Sequence, residues 1–241
     1  MPDPINLNQI TTLTWDIGGT VFDWHHSIKD DVAKRATAQG ADVDPALFAN
    51  TWRRRMFEQL KRVRTGDLPW MNADELHRMV LDELAEQHPS LEYSARDLDE
   101  LNQVWHRLYV WPDAPEALRR LRERYTVVVL TVMSTAIAVD SSKHNGVEWD
   151  AIISCEFLGH YKPAPEAYQG GLKLLGVEPS EAIMCAAHPG DLRAAMAAGL
   201  RSAYVPRPGE SGEGNDGDIS PQADFDVNAT DFTDLADQLL A

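Results

Sequence analysis

Apolar residues form two patterns that alternate along the second half of the chain. Short apolar runs rich in β-branched residues predict buried strands. The clearest run covers residues 126–132 and is almost continuously apolar, as in a strand whose two faces are both covered. The other predicted strands are 11–16, 151–155, 182–187, 202–205 and the short 225–227.

Helical periodicity separates these strands. It predicts helices over 115–124, 134–145, 165–175, 192–198 and 232–240. Gly146, Gly176 and Gly199 directly follow three of these helices, and glycine is the commonest residue to end a helix. Strands alternating with helices indicate βαβ units, and therefore an α/β fold with a Rossmann-like, doubly wound parallel sheet.

Residues 24–111 show helical periodicity and almost no strand signal. Four helices are predicted there, over 27–39, 45–64, 72–86 and 95–109. Since they separate the first strand from the rest of the sheet, they predict an inserted all-helical subdomain at 24–111. The α/β core then consists of 1–23 and 112–241. The segment 207–223 is rich in Gly, Pro and acidic residues, which predicts a mobile surface loop.

Composition and charge exclude several classes of protein. The 241 residues are 44% hydrophobic and 25% charged, as in a globular protein that needs no disulfides to form a core. The net charge of −16 argues against nucleic-acid binding, which depends on Lys and Arg. Cys155 and Cys185 are too few for a disulfide scaffold or a Cys-rich metal site. Without a membrane-length apolar run or a signal-peptide pattern, we expect no membrane association and a cytoplasmic location.

Polar residues follow the predicted strands at four places. These residues are Asp16 with Thr20, then Thr131, then Lys162, and finally His188 with Asp191. Because the carboxyl ends of parallel strands meet at one edge, where ligands bind, we expect these side chains to converge. The basic cluster 53–64 is either a solvated helix face or the source of an arginine for a small anion.

These residues, in this order, resemble the four motifs of the haloacid dehalogenase superfamily. The motifs correspond to Asp16 with Gly19-Thr20, to Thr131, to Lys162-Pro163 and to Asp191. The helical insert has the position of that superfamily's cap domain. The chain is most similar to the type II, or L-2-haloacid, dehalogenase branch, through Phe22-Asp23, Trp52-Arg53, Tyr161 before Lys162, Tyr168 six residues after it, and the single acid Asp191.

The resemblance implies a hydrolytic dehalogenase of short 2-haloalkanoic acids. Asp16 would displace the halide from C2 with inversion, and water would hydrolyse the resulting ester to give a 2-hydroxy acid. Asp191 would orient that water, and Lys162 would keep Asp16 ionised. The other implied roles are positioning of Asp16 by Thr20, oxyanion binding at Ile17 and Gly18, substrate-carboxylate binding by Thr131 and halide binding by Arg53. Tyr168 either supports Lys162 or Asp16, or is a core tyrosine.

Gly18 distinguishes dehalogenation from phosphoryl transfer within this superfamily. Phosphatases carry a second Asp at that position and usually two magnesium-binding acids in the last motif, where this chain has only Asp191. A leaving halide needs neither a proton nor a metal, so the resemblance implies no cofactor and no metal. The expected partner is a small haloacid, and a homodimer is one option. The alternatives are a magnesium-dependent phosphatase and a catalytically divergent binding protein.

Four residues depart from the dehalogenase pattern. Gly18 replaces an aromatic ring, Val132 replaces an Asn that helps to bind the halide, and Ala186 and His188 replace a Ser and an Asn. The lost Asn costs roughly 1.5–3 kcal/mol if nothing replaces its hydrogen bond to a charged group. His188 either caps its loop through a backbone hydrogen bond or faces Asp16. In the second case its ordinary pKa of about 6.5 predicts a titration near neutral pH, with water activation when neutral and halide attraction when protonated.

Overall fold

A parallel sheet forms the centre of the computed structural model, which describes residues 5–215 and 219–241. In chain order the strands are β1 (Thr12–Trp15), β2 (Phe22–Asp23), β3 (Tyr109–Val110), β4 (Thr126–Thr131), β5 (Ala151–Ser154), β6 (Ala182–Ala186), β7 (Arg201–Tyr204) and β8 (Val227–Asn228). Six of them pair in the order β5-β4-β1-β6-β7-β8, and every neighbouring pair is parallel. The predicted α/β fold with a parallel sheet is confirmed.

Five helices cover the two faces of this sheet: α5 (Ala114–Leu121), α6 (Thr135–Asn145), α7 (Pro165–Leu175), α8 (Pro189–Ala197) and α9 (Phe232–Leu240). Four earlier helices form the insert: α1 (Trp24–Gln39), α2 (Pro45–Thr65), α3 (Ala73–Gln87) and α4 (Ala95–Asn102). In β4, Val127 and Val129 pack into the cluster that includes α5, α6 and α9, whereas Val128 and Leu130 pack into the one that includes α7 and α8. A strand buried on both faces explains the continuous apolar run in the sequence.

The helical insert leaves and rejoins the core through a short antiparallel pair of strands. Phe22 in β2 pairs with Val110 in β3, and Asp23 pairs with Tyr109. The prediction of a helix over 95–109 is therefore wrong in its second half. Helix α4 ends at Asn102, and a 3-10 helix (Gln103–Arg107) leads into β3, because pairing with β2 requires an extended backbone.

Several helix ends differ from their predicted positions for local reasons. Helix α1 begins at Trp24 rather than at residue 27, because the Asp23 side chain accepts a hydrogen bond from the backbone N–H of His26 and caps the helix. Helix α8 begins at Pro189 rather than at residue 192, since proline suits the first turn of a helix. Asp191 therefore lies in the first turn of α8.

The segment after β7 is packed where the sequence predicted a mobile surface loop. Arg207 is buried, donates from Nε to the carbonyl of Thr20, and binds Asp113 at 2.7 Å. The carbonyl of Ser211 accepts a 3.0 Å hydrogen bond from Asn50 in α2. Residues 216–218 of the predicted loop lie outside the described residues. Within the described chain, no helix has the length and apolar character needed to cross a membrane.

Candidate active site

The carboxyl edge of the sheet forms the floor of a cavity of about 610 Å³, which α2 and α3 cover. Seven residues predicted from the sequence line it: Asp16, Gly18, Arg53, Thr131, Lys162, His188 and Asp191. Its volume lies within the range of small-molecule binding sites. The expected convergence of these side chains is therefore present in the structure.

Asp16 lies directly after β1 and is almost fully buried. Its Oδ2 accepts a 2.8 Å hydrogen bond from the hydroxyl of Thr20, whose oxygen in turn accepts the backbone N–H of Ala187. Its Oδ1 lies 3.7 Å from Nζ of Lys162. Burial opposes ionisation, but Lys162, His188 and Thr20 together hold the pKa of Asp16 below its usual range. Asp16 is therefore a carboxylate at neutral pH.

Lys162 joins the two carboxylates of the site. Its Nζ donates to Oδ2 of Asp191 at 2.9 Å, and the pKa of this buried lysine is raised because Asp191 and Asp16 outweigh the effect of burial. The hydroxyl of Tyr168 donates to Oδ1 of Asp191 at 2.5 Å. Tyr168 thus lies behind Asp191 and not on the cavity wall, although its ring centre is also 5.9 Å from Lys162. The hydroxyl therefore supports Asp191, a partner that neither of the two interpretations of Tyr168 had named.

His188 faces Asp16 through one ring nitrogen and a second carboxylate through the other. Nδ1 lies 3.0 Å from Oδ2 of Asp16, and Nε2 lies 3.0 and 3.1 Å from the two oxygens of Glu210. The side chain makes no helix-capping hydrogen bond, so the backbone-cap interpretation is wrong. Burial would lower its pKa, but Glu210 and Asp16 raise the pKa of His188 to about 10. The ordinary pKa of about 6.5 therefore does not apply to His188 between two carboxylates, and the pH response of the two half-reactions stays a prediction.

Glu210 is the main site residue that the sequence did not indicate. Its carboxylate accepts a 2.9 Å hydrogen bond from the indole N–H of Trp24 and lies 3.5 Å from Arg53, in addition to its contacts with His188. Burial raises its pKa, but His188, Arg53 and Trp24 outweigh burial and lower the pKa of Glu210 to about 2. It belongs to a Gly- and Pro-rich segment without periodicity, which gave no signal of a functional residue.

Arg53 reaches the cavity from α2. Its Nη2 donates to the carbonyl of Gly18 at 2.9 Å, and its guanidinium lies 4.6 Å from the ring centre of Trp24 and 5.0 Å from that of Phe57. The neighbouring Arg54 is instead 60% exposed and pairs with Glu58. One arginine of this basic cluster therefore faces the cavity while the next is a solvated surface residue.

Other predicted residues occupy the walls or the layer behind them. Thr131 is fully buried, and its hydroxyl oxygen accepts the backbone N–H of Met133 at 3.1 Å. Ile17 is also buried, and its carbonyl accepts the backbone N–H groups of Val21 and Phe22. Arg64, a second arginine of the basic cluster 53–64, also lines the cavity and donates to the carbonyl of Lys162 at 2.8 Å.

Comparison with known proteins shows the family to which the chain belongs. The family model of haloacid dehalogenase-like hydrolases matches residues 10–199. The chain belongs to this family. Two solved structures are similar over almost the whole chain. The defluorinating L-2-haloacid dehalogenase Rha0230 is 35% identical, covers 100% of both chains and has a TM-score of 0.92. The L-2-haloacid dehalogenase PA0810 is 34% identical, covers 96% of this chain and 99% of its own, and has a TM-score of 0.91.

A curated relative is more distant. Haloacetate dehalogenase H-2 from Moraxella sp. (strain B) is 26% identical over 207 residues, which are 84% of this chain and 88% of that protein. The predicted membership of the haloacid dehalogenase superfamily, and the resemblance to its L-2-haloacid branch, are confirmed.

The Met133 side chain lies beside Gly18, the position where the phosphatases of this superfamily carry a second aspartate. A Cβ at position 18 would lie 2.7 Å from Cε of Met133. The Met133 side chain therefore fills the space that a larger residue at this position would need. In the described part of the chain, no three His, Cys, Asp or Glu side chains are grouped so that they could hold a metal ion.

Proposed function

We propose that this hydrolase converts short 2-haloalkanoic acids to 2-hydroxy acids and halide through an ester on Asp16. The carrying observation is a buried, ionised Asp16 whose Oδ1 lies next to Lys162 at 3.7 Å, at the floor of a cavity that α2 and α3 cover. The named activities of the similar dehalogenases support the same chemistry. The substrate class and the roles of individual residues are part of the proposal.

In the first half-reaction Asp16 is the nucleophile. Oδ1 attacks C2 of the haloacid, the new O–C2 bond forms as the C2–halogen bond breaks, and the bonding electron pair leaves with the halide. Arg53 receives the halide, because it is a cavity-facing cation of the cap helix α2 and contacts Gly18, two residues after the nucleophile. Thr131 and the adjoining backbone bind the substrate carboxylate. Backbone N–H groups of Ile17 and Gly18 are proposed donors to the oxyanion of the later step.

In the second half-reaction water hydrolyses the ester. Asp191 is the proposed base, and Lys162 and Tyr168 fix one oxygen each of its carboxylate. The hydrogen bonds orient Asp191 toward the cavity that it lines. Lys162 therefore serves both half-reactions, since it faces Asp16 with the same ammonium group.

The test is an assay of halide release from monochloroacetate, monobromoacetate and 2-chloropropionate. A generic phosphate ester, with and without magnesium, is assayed in parallel. We expect halide release and little phosphate release. Magnesium-dependent phosphate release without halide release would favour the phosphatase alternative, and the absence of both activities would favour a binding protein.

Halide release is also expected to be independent of added metal. Neither the proposed attack of Asp16 on carbon nor the departure of halide requires a Lewis acid. Dialysis against a chelator, followed by the same assay, should leave the rate within about twofold of the untreated protein, a difference of under 1 kcal/mol. Loss of activity that magnesium restores would contradict the proposed mechanism.

A further inference from the structure

We propose that Glu210 is a positioning residue for hydrolysis of the Asp16 ester. It keeps both ring nitrogens of His188 protonated, so that His188 and Thr20 form a side-chain oxyanion site around Oδ2 of Asp16. The inference rests on the proposed function and extends it to a residue of the segment after β7. Three observations support it: the unequal environments of the two Asp16 oxygens, the two carboxylates at His188, and the fixed position of Glu210.

The two oxygens of Asp16 are not equivalent. Oδ2 accepts hydrogen bonds from Thr20 at 2.8 Å and from His188 at 3.0 Å, which use both of its lone pairs. Oδ1 faces Lys162 at 3.7 Å, beyond hydrogen-bonding distance, and keeps its lone pairs for attack on C2. Once Oδ1 has formed the ester, Oδ2 is the carbonyl oxygen. It already has two donors in place.

His188 must be an imidazolium to make these contacts. Asp16 and Glu210, when ionised, can only accept hydrogen bonds, so each ring nitrogen of His188 must donate one. The pKa of His188, raised to about 10, agrees with this geometry. A protonated histidine has no lone pair with which to take a proton from water. It therefore acts as a donor, and Asp191 remains the base.

Glu210 matters most after the ester has formed. Esterification removes the negative charge of Asp16, and with it one of the two carboxylates that favour the imidazolium. The charged groups around His188 are then Glu210 in the loop, Arg53 in α2, Lys162 and Asp191, and the two cations oppose its protonation. Glu210 is the carboxylate in direct contact with His188 that remains.

Contacts on both sides fix the position of Glu210. Arg207, three residues earlier, is buried and tied to Thr20 and Asp113. Ser211, the next residue, accepts a hydrogen bond from Asn50. Glu210 also lies over Gly19, where a Cβ would come within 1.9 Å of Oε1. Glu210 can therefore reach His188 because position 19, three residues after Asp16, is a glycine and leaves space for the carboxylate.

The step that follows balances without a further reactant. A water oxygen attacks Cγ of the Asp16 ester, its proton passes to Asp191, and the electron pair of the Cγ=Oδ2 double bond moves to Oδ2. Thr20 and His188 stabilise this oxyanion, in addition to the backbone donors proposed at Ile17 and Gly18. When the double bond re-forms, the Cγ–Oδ1 bond breaks, and the departing alkoxide takes the proton from Asp191. The product keeps Oδ1 as its hydroxyl oxygen, and the new carboxyl group on Asp16 releases a proton to solvent.

The decisive variant is Glu210→Gln, with Glu213→Gln as its matched control. Glu213 belongs to the same segment and is exposed. Nitrogen-15 NMR of the histidine rings measures the protonation of His188 without any haloacid, and the His188→Asn variant identifies its signals among the eight histidines. The comparison is made in an Asp16→Asn background, which like the ester has no charge at position 16: we expect two protonated nitrogens at pH 8 in Asp16→Asn and in Asp16→Asn/Glu213→Gln, and a neutral ring in Asp16→Asn/Glu210→Gln.

Single-turnover kinetics with a 2-haloacid measures the two half-reactions separately. In Glu210→Gln we expect ester hydrolysis at pH 8 to fall by on the order of 10–10²-fold, because a neutral ring can donate only an uncharged hydrogen bond to the oxyanion, so that the ester accumulates. Hydrolysis should recover at lower pH, where His188 is protonated again, whereas a general defect in folding would not recover. Glu213→Gln should hydrolyse the ester at the parental rate.

Two results would overturn the inference. One is a doubly protonated His188 at pH 8 in Asp16→Asn/Glu210→Gln, and the other is ester hydrolysis at the parental rate in Glu210→Gln. A parent protein that releases no halide would refute the proposed function instead. The NMR comparison would still decide whether Glu210 controls the charge of His188, so the two failures can be told apart.

Discussion

Replacement of Asp16 by Asn is expected to abolish halide release in a protein that remains folded. The amide is a very poor nucleophile and has no charge for Lys162 to stabilise, so the O–C2 bond does not form. Removal of a nucleophile of this kind typically lowers turnover by about 10⁴-fold or more. Asn has the shape of Asp and still offers one oxygen to Thr20, which lies 2.8 Å from Oδ2.

Halide release and circular dichroism should be measured on the same preparation. Asp42→Asn is a suitable control, because Asp42 lies on the surface of the helical insert, outside the cavity. The control should retain the parental rate. Parental activity in a well-folded Asp16→Asn variant would remove Asp16 as the nucleophile and, with it, the ester mechanism.

The parts of the site that the sequence predicted are those tied to regular elements. Asp16 follows β1, Thr131 ends β4, and Asp191 lies in the first turn of the helix after β6. A parallel sheet places such positions at one edge whatever the details of packing. Hydrophobic periodicity locates the strands, so the convergence of these residues can be inferred without coordinates.

The parts that the sequence did not predict depend on contacts between distant segments. Glu210 is 186 residues from Trp24, and its segment lacks any periodic pattern that would fix its position. His188 stands three residues before Asp191 in sequence, but its pKa is raised by contacts with Glu210 and Asp16. Without knowledge of those contacts, its ordinary pKa was the only available basis for prediction. Long-range electrostatic partners are not encoded in local sequence patterns.

The secondary structure of the helical insert was only partly predictable from the sequence, because it also depends on contacts between distant segments. Periodicity continued through 95–109, yet the helix ends at Asn102 because Tyr109 pairs with Asp23. That pairing joins residues far apart in the chain, and tertiary context overrides local propensity. The same strand pair connects the insert to the core. It therefore also determines where Arg53 of the insert meets the cavity.

Arg53→Ala is expected to lower turnover by on the order of 10²–10³-fold, as for loss of a donor to developing charge. The Arg53 side chain is 12% exposed, lies against Trp24 and Phe57, and donates to Gly18 beside the nucleophile. Val132 supplies no side-chain donor for the departing halide, so the guanidinium is a major source of positive charge for it. Its removal should slow halide release in a single turnover more than it slows ester hydrolysis.

Arg54→Ala is the matched control, because Arg54 has the same charge and helix but is 60% exposed and pairs with Glu58 at 2.5 Å. Adjacent helical residues point about 100° apart, so the two arginines cannot share one face. An exposed ion pair of this kind contributes little to the free energy of unfolding. The turnover rate of Arg54→Ala should therefore stay within about twofold of the parental rate. Equal, small effects of both substitutions would mean that Arg53 does not receive the halide. A large effect of Arg53→Ala alone, concentrated in halide release, would place the anion at α2 and assign the cap helix a direct part in the chemistry.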